Sequence, residues 1–207
     1  RPDIFSLLFF AFYLYVLHKH LDKKWIIYAI PLTQILWSNF HGFFFLGIFL
    51  LLVVVIAEFI KRKIRLPWQW NSANRLSDQD YRRLKLVLLL SILAGLANPY
   101  LLAGFLYPFK VMLQLAGKSR IFFQYIQELK PALNWSTLFE NDGMVQYKVI
   151  IVLSLISFIL NYRRIDLGKL FIWLVFLSSS ILAIRNIAYF SFVAYFVYLF
   201  NKILFSF

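Results

Sequence analysis

The chain has 207 residues, of which 62% are hydrophobic, 20% aromatic and only 15% charged, against about 45–50% apolar and about 25% charged in ordinary soluble domains. A core built by this length of chain cannot hide so much apolar surface, and with a mean hydropathy of +0.73 the excess is expected to face lipid. The absence of cysteine excludes disulfides, thiolate nucleophiles and cysteine-ligated metal centres, while the formal charge of +13 raises nucleic acid as a partner only until the cations are located.

Arg1-Pro2-Asp3 opens directly on an apolar run, with no basic n-region and no small-residue cleavage site. It reads as the interior of a longer polypeptide rather than a signal peptide. Apolar runs then follow at Ile4–Leu17, Trp25–Trp37, Gly42–Ile60, Leu86–Ala97, Val145–Leu160, Leu170–Ile184 and Ile187–Phe200. The expected architecture is all-α: one polytopic transmembrane helix bundle over residues 1–207, with about seven membrane segments. The shorter runs rise only about 20 Å as helix, less than the roughly 30 Å hydrocarbon layer, so they must draw in flanking polar residues, thin the bilayer or be partly re-entrant.

The basic residues lie in short tracts between these runs, at His18–Lys24, Lys61–Arg65, Arg82–Lys85 and Tyr162–Lys169, as membrane anchors do and a nucleic-acid face does not. Alternating the sides places 15 of the 22 Lys and Arg in one compartment, which the positive-inside rule makes cytoplasmic. The opposite ends of the spans then form the outer face, where the polar corners fall.

That outer face then holds Arg1, the corner Trp37-Ser38-Asn39-Phe40-His41-Gly42, the segment of about residues 98–144, and Arg185-Asn186. Within the long segment, Ile121, Phe122, Tyr125, Ile126 and Leu129 recur at helical spacing, opposite Lys118, Arg120, Gln124, Gln127 and Glu128. This predicts an amphipathic helix over Ser119–Lys130, lying on the outer leaflet. Pro99, Pro108 and Pro131 punctuate the segment, which argues against one uninterrupted span through Leu101–Ala116.

An ionisable or amide group beside hydrocarbon is costly, so each one is a site hypothesis. Arg185-Asn186 interrupts what otherwise reads as about 30 apolar residues, enough for a long span. It is either a tight turn whose arginine snorkels to headgroups or an outward guanidinium that clamps an anionic lipid phosphate. His41 with Asn39 is either an interfacial cap or part of the same site. Asn98-Pro99 reads as a helix stop, Glu58 as an ion-pair anchor for Lys61 and Arg62, and Ser178-Ser179-Ser180 as small residues for close packing. No phosphate-binding glycine loop, dinucleotide fingerprint or zinc-protease motif occurs in the sequence, so soluble nucleotide chemistry has no seat.

The succession Arg1-Pro2-Asp3 before a helix, Trp37-Ser38-Asn39-Phe40-His41-Gly42, Asn98-Pro99-Tyr100 with Tyr107-Pro108, then Arg185-Asn186 resembles the later helices of bacterial GT-C-type membrane glycosyltransferases. That group includes relatives of protein mannosyltransferases and oligosaccharyltransferases. The resemblance implies an enzyme that passes a sugar from a polyprenyl-phosphate carrier to an acceptor on the outer face, with the bilayer and the lipid-linked donor as its partners. It gives Arg185 and His41 to the carrier phosphate, with Asn39, Asn186 and Arg1 as further substrate-binding residues. The acidic outer loop that supplies the base or metal ligands in such families has no counterpart here, and Asp3 does not match it. A divalent metal would therefore need ligands from upstream residues. A lipid-linked glycan flippase and a non-catalytic membrane scaffold are the competing readings; a flippase should carry charge at mid-span on several helices.

Overall fold

The computed structural model describes residues 3–116, 126–133 and 144–203. Among these residues the regular structure is helical throughout, in eight α-helices: α1 (Asp3–Lys19), α2 (Ile26–Phe40), α3 (Phe45–Lys63), α4 (Asp78–Gly95), α5 (Leu101–Ala116), α6 (Val145–Leu160), α7 (Leu167–Leu182) and α8 (Ile187–Ile203). All seven apolar runs are helices. α4 begins eight residues before its apolar run, because Ser77 caps it, its hydroxyl accepting from the Asp80 amide at 3.1 Å. Such a cap lets a polar first turn form in front of apolar residues.

α5 runs unbroken through Pro108, although its apolar part, Leu101–Val111, is shorter than a membrane span. A proline removes one backbone donor and strains the preceding turn, but packing on both sides can hold the helix together. Here Phe105 stacks on Phe44 at 5.8 Å and Phe109 on Phe45 at 5.7 Å, one ring before the proline and one after. The amphipathic helix expected over Ser119–Lys130 falls mostly outside the described residues. Its described end is a single 3-10 turn, Gln127–Leu129, entered from extended backbone at Ile126.

Only the segment Gly42–Lys63, a 3-10 turn continuous with α3, is among the described residues both long and apolar enough to cross a membrane; its best window has a mean hydropathy of 3.0. Other apolar helices are shorter, at Leu101–Val111, Val145–Leu160 and Leu167–Leu182. Large apolar side chains nevertheless lie exposed along α1, α2, α4 and α7, among them Leu8, Tyr28, Leu32, Leu89 and Leu182.

The chain forms two compact units, residues 1–63 with 74–119, and residues 64–73 with 120–207. In the first unit, α2 packs on α4 and α1, and α3 on α1 and α4. The buried stripe of α2 is Ile26, Ile30, Gln34 and Trp37, one helical face, and α4 meets its neighbours with the small residues Ser91, Ala94 and Gly95. Small side chains allow backbones to approach closely. At one end, Arg83 donates to the Asp22 carbonyl at 2.7 Å, tying the start of α4 to the α1–α2 connection.

Near that end Glu58 is buried with Lys61 and Arg62 at i+3 and i+4, as its spacing suggested. Arg62 also donates to the Leu76 carbonyl at 2.7 Å, and the Leu76 amide donates to Glu58 at 3.2 Å, so one carboxylate fastens the chain where it leaves and re-enters the unit.

In the second unit α8 packs against α6 and α7 through Phe190, Val193, Ala194 and Val197. Trp173 donates to Ser154 at 2.9 Å, and Tyr147 and Ser180 share a bond of 2.6 Å. Residues 64–73 fold onto the α6–α7 turn: Trp70 donates its indole N–H to the Tyr162 carbonyl at 2.7 Å, and the Gln69 amide donates to Arg163 at 3.1 Å.

Removing one partner from a buried ion pair leaves the other charge uncompensated, which costs about 3–5 kcal/mol. Glu58→Ala, which strands Lys61 and Arg62 together, is therefore expected to lower the Tm of the detergent-solubilised protein sharply, whereas Asp78→Ala at an exposed side chain should change it little.

Candidate functional site

The first unit contains a cavity of about 550 Å³ at the end where α2 runs into α3 and α4 into α5. Its wall comes from four stretches: Ser38 and Asn39 at the end of α2, Gly42 and Phe44 in the following turn, Asn98, Pro99 and Tyr100 at the α4–α5 corner, and Gly104, Tyr107 and Pro108 on α5. The lining is mainly aromatic and apolar, with a few amides and hydroxyls, which is the composition of a small-molecule or lipid-binding pocket.

The amides are placed by backbone carbonyls. Asn39 donates through Nδ2 to Ile35 of its own helix and to Ala97 beyond the end of α4, both at 2.8 Å. A carbonyl can only accept, so the nitrogen must sit between them and Oδ1 is left as the side chain's acceptor. Asn98 is committed internally: Nδ2 donates to Gly95 and Leu101 at 3.1 Å, and Oδ1 accepts from the Tyr100 amide at 2.9 Å. These bonds hold Leu101 at φ 49°, a left-handed conformation that costs a non-glycine residue about 1–2 kcal/mol. The carboxamide lies so close to α5 that no side chain fits at Gly104.

His41 lies between α2 and the turn of Gly42–Phe44, in extended backbone, and its ring is about one-fifth exposed. Its Nδ1 is 2.7 Å from Ser6 Oγ, and its Nε2 is 3.4 Å from Asp3 Oδ1. Ser6 in turn accepts from the Trp37 indole at 2.9 Å. Deeper in the unit, Tyr13 donates to Gln34 at 2.6 Å and Gln34 donates to the Phe44 carbonyl at 3.0 Å, all buried. Gly47 fits against Gln34 and the Tyr13 ring, where a Cβ would come within 2.9 Å of both.

Arg185 and Asn186 belong to the second unit, in the 3-10 turn Ile184–Asn186 between α7 and α8. The arginine is exposed. Asn186 donates to the Ser179 carbonyl at 3.0 Å and to its hydroxyl at 2.9 Å, so its amide closes the corner. The same corner is paired with the segment before α6, through Ala132 N to Ile181 O at 2.9 Å and Ile184 N to Lys130 O at 3.0 Å. Arg1 lies outside the described residues. Among the described residues no group of three or more His, Asp or Glu side chains could hold a metal ion.

Thus Asn39, Asn98, Tyr100, Tyr107 and Pro108, all singled out by sequence, meet around one cavity. His41 adjoins it in sequence through Gly42 and is seated on Ser6. The reading from sequence passed over Ser6, Tyr13 and Gln34. The signal for Gln34 was there, an amide within an apolar run; Ser6 carried none, since a lone serine in a helix ordinarily bonds its own backbone.

No protein family model, no curated protein and no solved structure matches the chain.

Because Gly104 abuts Asn98, Gly104→Ala should push the carboxamide off its carbonyls and strain the α4–α5 corner. The expected cost is that of an overpacked site, about 1–3 kcal/mol, read as a lowered Tm. Gly42→Ala, where open space surrounds the added carbon, is the control and should be nearly silent.

Proposed function

We propose that the chain is a polytopic membrane protein and part of a GT-C-type glycosyltransferase, which transfers a sugar from a polyprenyl-phosphate-linked donor to an acceptor at the outer face. The observation that carries this reading is the cavity: motifs 60 residues apart, Ser38-Asn39 with Gly42 and Asn98-Pro99-Tyr100, line one apolar, aromatic chamber of a chemistry that suits an isoprenoid-linked sugar. The apolar residues exposed along the helices support placement in lipid, since a water-facing surface does not carry so many.

The topology has support of its own. The basic tracts that should share the cytoplasm meet one another within each unit, Arg83 with the α1–α2 connection and residues 64–73 with Arg163. The Asn39 and Asn98 corners meet at one place as well. Transport is the weaker reading, because the buried polar side chains along the helices described are chiefly neutral serines and Gln34, and the buried charges Glu58 and Lys61 sit at a helix end. A headgroup crossing the bilayer would need charge along its path.

In this function Arg185 contacts the carrier phosphate, its planar fork giving two parallel bonds that an ammonium cannot reproduce. The test is transfer by the full-length protein, reconstituted in liposomes with a radiolabelled polyprenyl-phosphate-linked sugar. Arg185→Lys is expected to lose about tenfold or more despite keeping its charge, in line with about 1.5–3 kcal/mol for a charge-assisted bond. Equal activity of Arg185→Lys and Arg185→Ala to the parent would refute the phosphate contact.

Single cysteines test the orientation cleanly, because the chain has none. A cysteine at Arg65 or Arg164 should resist an impermeant maleimide applied to intact cells, and one at Tyr100 should react. The reverse pattern would overturn the proposed topology.

A further inference from the structure

The chain of contacts from Trp37 to Asp3 has a direction. Trp37 and Ser6 are fully buried, the His41 ring is about one-fifth exposed, and Asp3 is half exposed. An indole N–H can only donate, so the first bond must run from Trp37 to Ser6 Oγ. Ser6 then has its own hydroxyl proton to place, and its other partner among the described residues is His41 Nδ1 at 2.7 Å. With Nδ1 accepting, the neutral imidazole carries its proton on Nε2, toward Asp3 and the solvent side.

The last gap differs from the others. Nε2 and Asp3 Oδ1 are 3.4 Å apart, beyond the usual reach of an N–H···O bond, about 2.7–3.2 Å. The pair therefore presents an N–H donor and a carboxylate acceptor side by side without using them fully on each other. One oxygen that both accepts and donates can bridge them, and a hydroxyl group does this. A phosphodiester oxygen cannot, because it has no proton to give, and any phosphate, inorganic phosphate included, brings its negative charge against that of Asp3.

We infer that Asp3 and His41 form a binding site for a sugar hydroxyl, with Ser6 and Trp37 as positioning residues that lock His41 in the tautomer bearing its proton on Nε2. This deepens the transferase reading on its acceptor side and rests on it for the choice of a sugar. It also separates His41 from the phosphate contact given to Arg185. In this role Ser6 is buried and touches no substrate; its only task is to keep Nδ1 an acceptor. Loss of Trp37 would act one step further back, since Ser6 could then turn its proton away from the ring.

The test is nuclear magnetic resonance of the full chain in detergent micelles at pH 8, with ring-labelled ¹⁵N histidine assigned by substitution of His18 and His20. In the parent protein His41 should show Nδ1 as the pyridine-type nitrogen and Nε2 as the pyrrole-type one. In Ser6→Ala, and to a lesser degree in Trp37→Phe, the two signals should move toward each other as the tautomers mix, while the histidine at position 18 keeps its shifts and so reports an intact fold. Free glucose, galactose and mannose are then titrated against inorganic phosphate. At least one sugar should shift the Nε2 signal, phosphate should not, and Asp3→Asn should abolish the sugar response while leaving the tautomer unchanged.

The inference is overturned if Nδ1 carries the proton in the parent, if Ser6→Ala leaves both nitrogens where they were, or if phosphate moves Nε2 and no sugar does. Silence with every sugar also overturns the binding site. A locked tautomer and a sugar response in a protein that fails to transfer from the lipid-linked donor would refute the transferase reading and leave this site standing.

Discussion

Burial of polar side chains inside helices whose outer surface is apolar is the constraint on which the rest of this structure depends. Where water is excluded, an unpaired amide or hydroxyl is expensive, so each such group dictates which helix must lie beside it. Gln34 binds α2 to Tyr13 of α1 and to the Phe44 carbonyl ahead of α3. Trp37 and Ser6 bind α2 to α1 a turn further on, and Asn39 reaches Ala97 at the end of α4. Together these bonds stitch α2 to three neighbours, and the apolar residues between them, Ile26 and Ile30, fill the remaining space.

The same stitching builds the cavity. Asn39 and Asn98 use their donors on backbone carbonyls, so the ends of α2 and α4 stay in place while Tyr107 and Pro108 of α5 close the side. Gly42 and Gly104 keep two walls free of side chains. Rigidity in a pocket of this kind means that its few polar groups are already aimed before anything enters it. The second unit follows the same logic with different residues. Asn186 closes the α7–α8 corner on Ser179 and so fixes the backbone from which the exposed Arg185 extends.

Charge plays a separate part, at the opposite ends of the helices. Glu58 with Lys61 and Arg62, and Arg83 with Asp80 at 2.7 Å and with the Asp22 carbonyl, fasten the connections rather than the helix bodies. Lys23 lies 2.8 Å from Asp22 and holds that carboxyl below the usual carboxylate range. Among the described residues the buried polar side chains of the helix bodies, Ser6, Gln34, Ser91, Ser154 and Ser180, are neutral and hydrogen-bonded, whereas the buried charges Glu58 and Lys61 sit at a helix end.

Hydropathy alone determined the all-helical class and the position of seven helices, because an apolar run flanked by charge leaves the backbone no cheaper way to satisfy its hydrogen bonds. It also marked the Glu58 ion pair, whose i+3 and i+4 spacing is a property of one helix, and the corners at Asn39, His41, Asn98 and Arg185, because polar residues stand out against apolar neighbours. No local rule showed that the helix of α5 continues through Pro108, where Phe105 and Phe109 meet Phe44 and Phe45 from a part of the chain distant in sequence. What tertiary structure decided was partnership: that Asn39 meets Ala97, that Ser6 sits under His41, and that Gly104 must be bare to admit Asn98. None of these is a property of a local pattern. Each depends on which helix faces which, and that is set by many weak contacts acting at once between residues tens of positions apart.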